Sequence, residues 1–335
     1  MSIVMTGGGT GGHLAIIKAV KEHLKDEELI YIGSTKGQDK QWFEEDEDFF
    51  HKYFFETRGV VNQRVFGKVK SLFMLGSAMF KAINLIRKHK AKVVFSVGGF
   101  SAAPMAFAAK LTFTPLVIHE QNAALGSLNK LLKPYATEFI SSYLDESPIK
   151  AYPIKEDFFD NAHVRDSVKT IIFLGGSQGA RAINNLALQM APKLKERGIR
   201  IIHQAGANNI EEVQKVYVDL GIEAEVFGFS TKLAEYMNEA DFAVARAGAS
   251  TLWELSATAV PTLYIPYPYA AKDHQYYNAQ FLVEKNLAWL MREGEIDKSK
   301  VLALLDENLS TMSQGLIDIV EKKGSQKIAT LLKSM

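Results

Sequence analysis

The sequence predicts an α/β protein made of two Rossmann-like domains facing across a cleft, and three observations carry that prediction. Short β-branched runs alternate with longer amphipathic stretches, the alternation halts at a proline-punctuated segment and restarts, and both halves open on a strand that runs into glycines. Strands separated by helical crossovers pair in parallel, with helices covering both faces. At 335 residues, 47% of them apolar, the chain has room for about two domains of roughly 100 to 200 residues each.

In the first half the expected strands are 3–5, 29–32, 93–97, 116–118 and 139–141. Residues 71–87 read as a helix, with Leu72, Leu75, Met79, Ile83 and Ile86 on one core-facing stripe. Met74 and Leu85 fall on the side of Lys70, Lys81 and Lys88. Pro148 and Pro153 mark a linker within 145–160. The second half is expected to hold strands 170–174, 200–203, 225–227, 242–245 and 262–265. The pattern divides the chain into domains 1–147 and 148–315, with a helical tail 316–335 that has the option of returning to the first domain.

Composition narrows the function. With no cysteine there is no thiol nucleophile, cysteine zinc site or redox pair. A balance of 39 basic against 38 acidic residues argues against a nucleic-acid partner. The start lacks the basic and apolar regions of an export signal. The longest uncharged apolar stretch, 93–109, is interrupted by Gly98, Gly99, Ser101 and Pro104, so membrane contact is expected to be peripheral.

The glycine turns are the places where backbone must come close to something. Gly7-x-Gly9-x-x-Gly12 matches the dinucleotide fingerprint in form, but the second strand ends in Gly33, Ser34 and Thr35, without the acid that would hold a ribose. His13 stands where a phosphate-binding P-loop would need its lysine. At a helix start the local dipole disfavours an imidazolium, which suits His13 to accept a proton, or merely to cap the turn. Gly98, Gly99, Phe100 and Ser101 form another turn, and His119, Glu120, Gln121 and Asn122 close a strand at the sheet edge where ligands bind. In the second half, Gly175, Gly176, Ser177, Gln178 and Gly179 repeat the opening turn. Arg246 to Glu254 combines small residues with a fresh helix start, an anion site, though Thr251-x-x-Glu254 also reads as a capping box. A polar loop with Lys272, Asp273, His274 and Gln275 is able to hydrogen-bond a sugar.

In this order and spacing, these motifs, together with Ala180, Asn278 and Ala279, closely resemble the MurG family of bacterial UDP-N-acetylglucosamine:lipid I N-acetylglucosaminyltransferases, from about residue 3 to about residue 290. The resemblance implies a GT-B fold with an N-terminal acceptor domain and a C-terminal donor domain. It implies inverting transfer of GlcNAc from UDP-GlcNAc to the 4-hydroxyl of MurNAc in lipid I, at the cytoplasmic face of the inner membrane. Ala249, Ser250 and Thr251 would lie under the diphosphate, Glu254 on the ribose, Gln275 on the GlcNAc hydroxyls, and Phe229 and Ser230 beside the uracil. Ser177 and Gln178 would line the phosphate side, with Lys155 supplying positive charge. Thr10, Gly11, Gly12 and Asn122 would reach the donor from the acceptor domain, and Gly98, Gly99 and Ser101 would serve the acceptor. His13 is the first choice for the base and Glu120 the alternative. The chain departs from the family at Leu14, Ala15, Ile16 and Ile17, and at the linker, where Lys155 replaces the usual arginine.

No cofactor and no metal are expected. Asp46, Glu47 and Asp48 satisfy the Asp-x-Asp pattern of metal-dependent glycosyltransferases, but they lie in an acidic run without a preceding apolar strand and read as solvated surface. The alternatives are another GT-B UDP-sugar glycosyltransferase with a lipid acceptor, or an inactive UDP-sugar-binding scaffold. The net charge of +1 conceals a segment, 58–92, with nine basic residues and no acid. Given a lipid-linked acceptor, Lys70, Phe73, Phe80 and Lys81 are expected to dock on anionic membrane lipid.

Overall fold

The structure, a computed structural model, describes residues 1–57, 65–176 and 178–335, and of 65–73 the backbone alone. The chain divides into two units, Met1–Ile154 with Lys323–Met335, and Lys155–Lys322. Strands β1 (Ser2–Thr6), β2 (Glu28–Ser34), β3 (His51–Phe55), β4 (Val93–Ser96), β5 (Leu116–Glu120) and β6 (Glu138–Ser141) form the first sheet, in the order β3-β2-β1-β4-β5-β6. The second sheet contains β7 (Thr170–Leu174), β8 (Arg200–Gln204), β9 (Ala224–Phe227), β10 (Phe242–Ala245), β11 (Thr262–Tyr264) and β12 (Trp289–Leu290), ordered β12-β11-β10-β7-β8-β9. Every pairing in both sheets is parallel.

Counted from its own first strand, each sheet has the same order. The direction of winding reverses between β1 and β4 in one unit and between β7 and β10 in the other, and the crevice outside the carboxyl ends of such a strand pair is where open α/β sheets bind ligands. That is where the glycine turns stand. Because the central strands are covered on both faces, β1, β5 and β7 are buried along their whole length. One face of the first sheet buries Val4, Ile30, Val94 and Ile118 against Ala82, Ile86, Met105 and Ala109. In the second, Ile171, Phe173, Ile201 and Val244 pack with Ile183, Leu186, Met190 and Leu194. Each such side chain contributes about 1.5–3 kcal/mol.

Several expectations change. The edge strands β3 and β12 escaped the sequence reading: β3 is half-buried, and β12 has only two residues. The helix Val65–Lys88 is longer than expected and buries Ala78, Ala82 and Ile86, while Leu85 packs against the core instead of facing the lysines. Met79, Ile83 and Ile86 of the expected stripe face the core, and Ala78 and Ala82 widen the buried face where the helix approaches the helix Ala103–Thr112. The break between units follows Ile154 rather than residue 147, because Ala151, Tyr152 and Ile154 are buried. The tail divides as well. Residues up to Lys322 stay with the second unit, whereas the helix Gly324–Ser334 packs on the helix Gly11–Lys21 of the first. It is tied there by Lys333 to Asp26 at 2.6 Å and Ser325 Oγ to the Ile154 carbonyl at 3.1 Å.

Candidate active site

In the first unit the turns after β1 and β4 touch through bare backbone. A Cβ on Gly99, which has φ of 79°, would sit 2.5 Å from the Gly8 carbonyl oxygen. Behind them a carboxylate that the sequence reading passed over holds the first turn: Asp39, fully buried, accepts from Gly9 N–H at 2.6 Å and Ser34 N–H at 2.9 Å. The acid sought at the end of β2 is therefore present in the following helix, Asp39–Phe43, and it points at the turn's own backbone.

The turn delivers His13 to the first turn of the helix Gly11–Lys21. Thr10, the residue capping that helix, uses its hydroxyl on His13 Nδ1 at 2.9 Å, not on the helix backbone. The Gln121 amide nitrogen lies 3.1 Å from His13 Nε2 and 3.4 Å from Nδ1, so Thr10 and Gln121 together hold the orientation of the ring. Beside this pair, His119 is fully buried, and burial together with the neighbouring His13 pushes it down to about 3, so it stays neutral.

Glu120 does different work. One carboxylate oxygen accepts from Asn122 N–H at 3.0 Å, and the other accepts from Gly126 N–H at 2.8 Å and Asn129 Nδ2 at 3.0 Å. It is 2% exposed and shapes the loop that presents Gln121 and Asn122. Gly98 and Ser101 are buried, and Gly99 is partly so. Among the described residues, Ser101 Oγ, both His119 nitrogens, Gln121 Oε1, Asn129 Oδ1 and Ser142 Oγ are buried without a hydrogen-bond partner.

In the second unit Ser177 lies outside the described residues, and Gln178 is exposed. Gly176 N–H donates to Gln204 Oε1 at 3.2 Å, so a neutral amide stands behind this turn. The loop after β10 is pinned by Asn278 Nδ2 to the Ala247 carbonyl at 3.1 Å and by Arg246, which reaches the carbonyls of Ile265 and Pro266 at 3.0 Å each and Glu293 at 2.8 Å. It opens the helix Ala249–Ala257, whose cap is Gly248, with no side-chain cap. Ala249, Ser250 and Thr251 thus form a helix start with the dipole's positive end. The capping-box reading of Glu254 fails, since Glu254 lies beyond the first turn. Although the residue keeps some exposure, burial alone pushes its carboxyl up to about 7. Gln275 accepts from Tyr267 N–H at 2.9 Å, which organises the loop 266–275. Phe229 is exposed, and Ser230 Oγ accepts from Lys232 N–H at 3.0 Å. Lys155 is partly buried just before a short 3-10 turn, Glu156–Phe158.

Among the described residues no group of three or more His, Cys, Asp or Glu could hold a metal ion. The acidic run is not simply solvated. Asp46 at 2.7 Å and Asp48 both bind Lys21, whose side chain is 5% exposed.

The glycosyltransferase family 28 N-terminal domain matches residues 3–141 and the family 28 C-terminal domain matches residues 170–331. A curated relative from Sulfurovum sp. (strain NBC37-1), a UDP-N-acetylglucosamine–N-acetylmuramyl-(pentapeptide) pyrophosphoryl-undecaprenol N-acetylglucosamine transferase, is 77% identical over 100% of this chain and 99% of its own length. The chain belongs to the MurG family. A MurG relative of the same description from Sulfurimonas denitrificans is 49% identical over 98% of both chains. The crystal structure of Acinetobacter baumannii MurG is similar with a TM-score of 0.80 and 26% identity, covering 100% of this chain and 99% of the other. The MurG fold, two parallel six-stranded α/β sheets of the GT-B class, is the fold of this chain. Among the described residues no helix is long and apolar enough to cross a membrane.

Proposed function

We propose that the chain transfers GlcNAc from UDP-GlcNAc to the 4-hydroxyl of MurNAc in lipid I, with inversion, giving lipid II and UDP. The observation that carries this reading is the 77% identity to a curated transferase of that description across both chains. In it the second unit holds the donor. The helix start at Ala249, Ser250 and Thr251 meets the growing charge on the leaving diphosphate, with Ser177, Gln178 and Lys155 on the same side. Glu254, whose carboxyl is raised by burial, is suited to hydrogen-bond ribose hydroxyls. Gln275 serves the GlcNAc, and Phe229 with Ser230 serves the uracil.

The first unit receives lipid I at Gly98, Gly99 and Ser101, where the unpartnered buried polar atoms suit a hydroxyl-rich ligand. Thr10, Gly11, Gly12 and Asn122 are assigned to donor binding as well. His13 is the first candidate for the base that takes the acceptor proton, with Thr10 and Gln121 against its ring nitrogens. Glu120, whose oxygens accept from Asn122, Gly126 and Asn129, supports that loop and stands as the second candidate for the base. The decisive assay is transfer of labelled GlcNAc to a lipid I analogue, with and without chelator. Turnover of a glycerolipid in place of lipid I would move the reading to another lipid glycosyltransferase.

The protein works as a peripheral enzyme on the cytoplasmic face of the inner membrane. Phe80 is 70% exposed and Phe113, at the end of the helix Ala103–Thr112, 93%, beside exposed Lys81. Lys70 and Phe73 belong to the same helix as Phe80, but their side chains lie outside the described residues. Vesicle binding that weakens with salt supports this surface; binding unchanged after joint replacement of Lys70, Phe73, Phe80 and Lys81 removes it.

A further inference from the structure

We propose that Asp39 is a positioning residue for the transfer: its buried carboxylate is a built-in anion that holds the glycine turn leading to Thr10 and His13 and fills the cradle a phosphate would otherwise enter there. The proposal rests on the transferase reading for its consequence and on geometry alone for its mechanism. Asp39 is 0% exposed. Its Oδ2 accepts from Gly9 N–H at 2.6 Å, and its Oδ1 accepts from Ser34 N–H at 2.9 Å and lies 3.1 Å from the Tyr31 hydroxyl. The same hydroxyl is 2.9 Å from the Gly7 carbonyl oxygen, so its single proton is shared between the beginning of the turn and the carboxylate, while Gly9 N–H binds the carboxylate at the end of the turn. Burial and the adjoining Asp39 raise the Tyr31 hydroxyl far above its ordinary range, which keeps it a donor.

The cradle is cut to the carboxylate. A Cβ on Gly8 would stand 2.5 Å from Asp39 Oδ1, and one on Gly33 would stand 2.7 Å from it. Backbone N–H groups converging on a buried anion make the kind of nest in which nucleotide-binding folds seat a phosphate. Here the chain supplies the anion itself. Charge-assisted bonds to backbone are roughly twice as strong as neutral ones, enough to fix a turn of glycines that has no side chains of its own to hold it. Four residues after Gly9 comes His13, so the position of the base follows from the position of this turn.

Asp39→Asn tests the idea, because the amide must present a donor to one of two backbone donors. Two readouts are taken. Hydrogen exchange at the Gly9 amide should speed up by ~10-fold or more while amides of β1 and β5 keep their protection. In the transfer assay kcat should fall by ~10-fold or more, with UDP affinity within ~2-fold of the parent and partial recovery in Asp39→Glu. Unchanged exchange at Gly9, unchanged kcat, or UDP affinity lost in step with kcat would overturn the proposal. If Asp39→Asn does not fold, Tyr31→Phe decides by the same two readouts in milder form. The exchange measurement needs no turnover, so it judges Asp39 even if the parent protein proves inactive on lipid I, a result that would instead sink the functional reading.

Discussion

The two units share one strand order and one opening turn, yet each holds a different charged group on backbone partners. In the first, Asp39 is a buried anion satisfied by backbone N–H groups. In the second, Arg165 is a buried cation satisfied by backbone carbonyls, at 3.1 Å to Ala240, 3.0 Å to Asn238, 2.7 Å to His163, and also to Thr258. Burial lowers the Arg165 guanidinium to about 10, still charged at neutral pH. Behind the second unit's glycine turn stands the neutral Gln204 instead of a carboxylate. The two turns share one topology and differ in what stands behind them, a carboxylate in the first unit and a neutral amide in the second, a difference that supports the proposal of the second unit as the donor site.

The largest expected effect breaks the first unit's chemistry alone. His13→Ala should lower turnover ~10²- to 10⁴-fold and leave UDP binding by the second unit intact, as read by steady-state kinetics and a UDP titration. A comparable free energy is at stake in the second unit's fold. Arg165→Met strands carbonyls at the ends of the helices Leu233–Glu239 and Ala249–Ala257 and should cost ~3 kcal/mol in urea unfolding, with loss concentrated in residues 155–322.

Glu254 sharpens the contrast through pH. Its carboxyl is raised from 4.5 to about 7 in the folded chain, so between those values the native state holds a proton that the unfolded state has released. Stability from this group is full below about pH 4.5 and is lost as pH rises through about 7. Glu254→Gln should therefore gain ~2 kcal/mol on the parent between pH 5 and pH 8, while weakening UDP-GlcNAc binding. The smallest effect is the most direct exchange of roles. Gln204→Glu puts a carboxylate behind Gly176, as Asp39 stands behind Gly9, and should weaken UDP about 10-fold. UDP affinity equal to the parent's would mean that the charge behind the turn is not what distinguishes the units.

Much of this was legible in the chain. Ten strands, the glycine turns and the helix starts are local features, written in β-branched runs, glycine clusters and their spacing. The edge strand β3 was hidden because His51 and Lys52 dilute its apolar signal, and Leu85 reaches the core because the buried face, which also takes in Met79, Ala82, Ile83 and Ile86, is wider than a single stripe. Glu120 and Glu254 show the limit in the site. Both are acids near glycine or small-residue loops. One accepts from three N–H donors close to it in sequence, while the other is raised by partial burial, and nothing in their neighbouring residues separates the two cases.

By itself the sequence determined two parallel α/β units, their family motifs and the candidate set around His13 and Glu254, since periodicity and turn chemistry act over a few residues. The tertiary structure decided which acids are bonded internally, that Thr10 and Gln121 hold the ring of His13, and that Asp39 and Arg165 are buried on backbone partners. Those outcomes depend on groups up to 108 positions apart, as Gln121 is from His13. Desolvation and hydrogen bonding act on distance in space, which spacing along the chain does not encode.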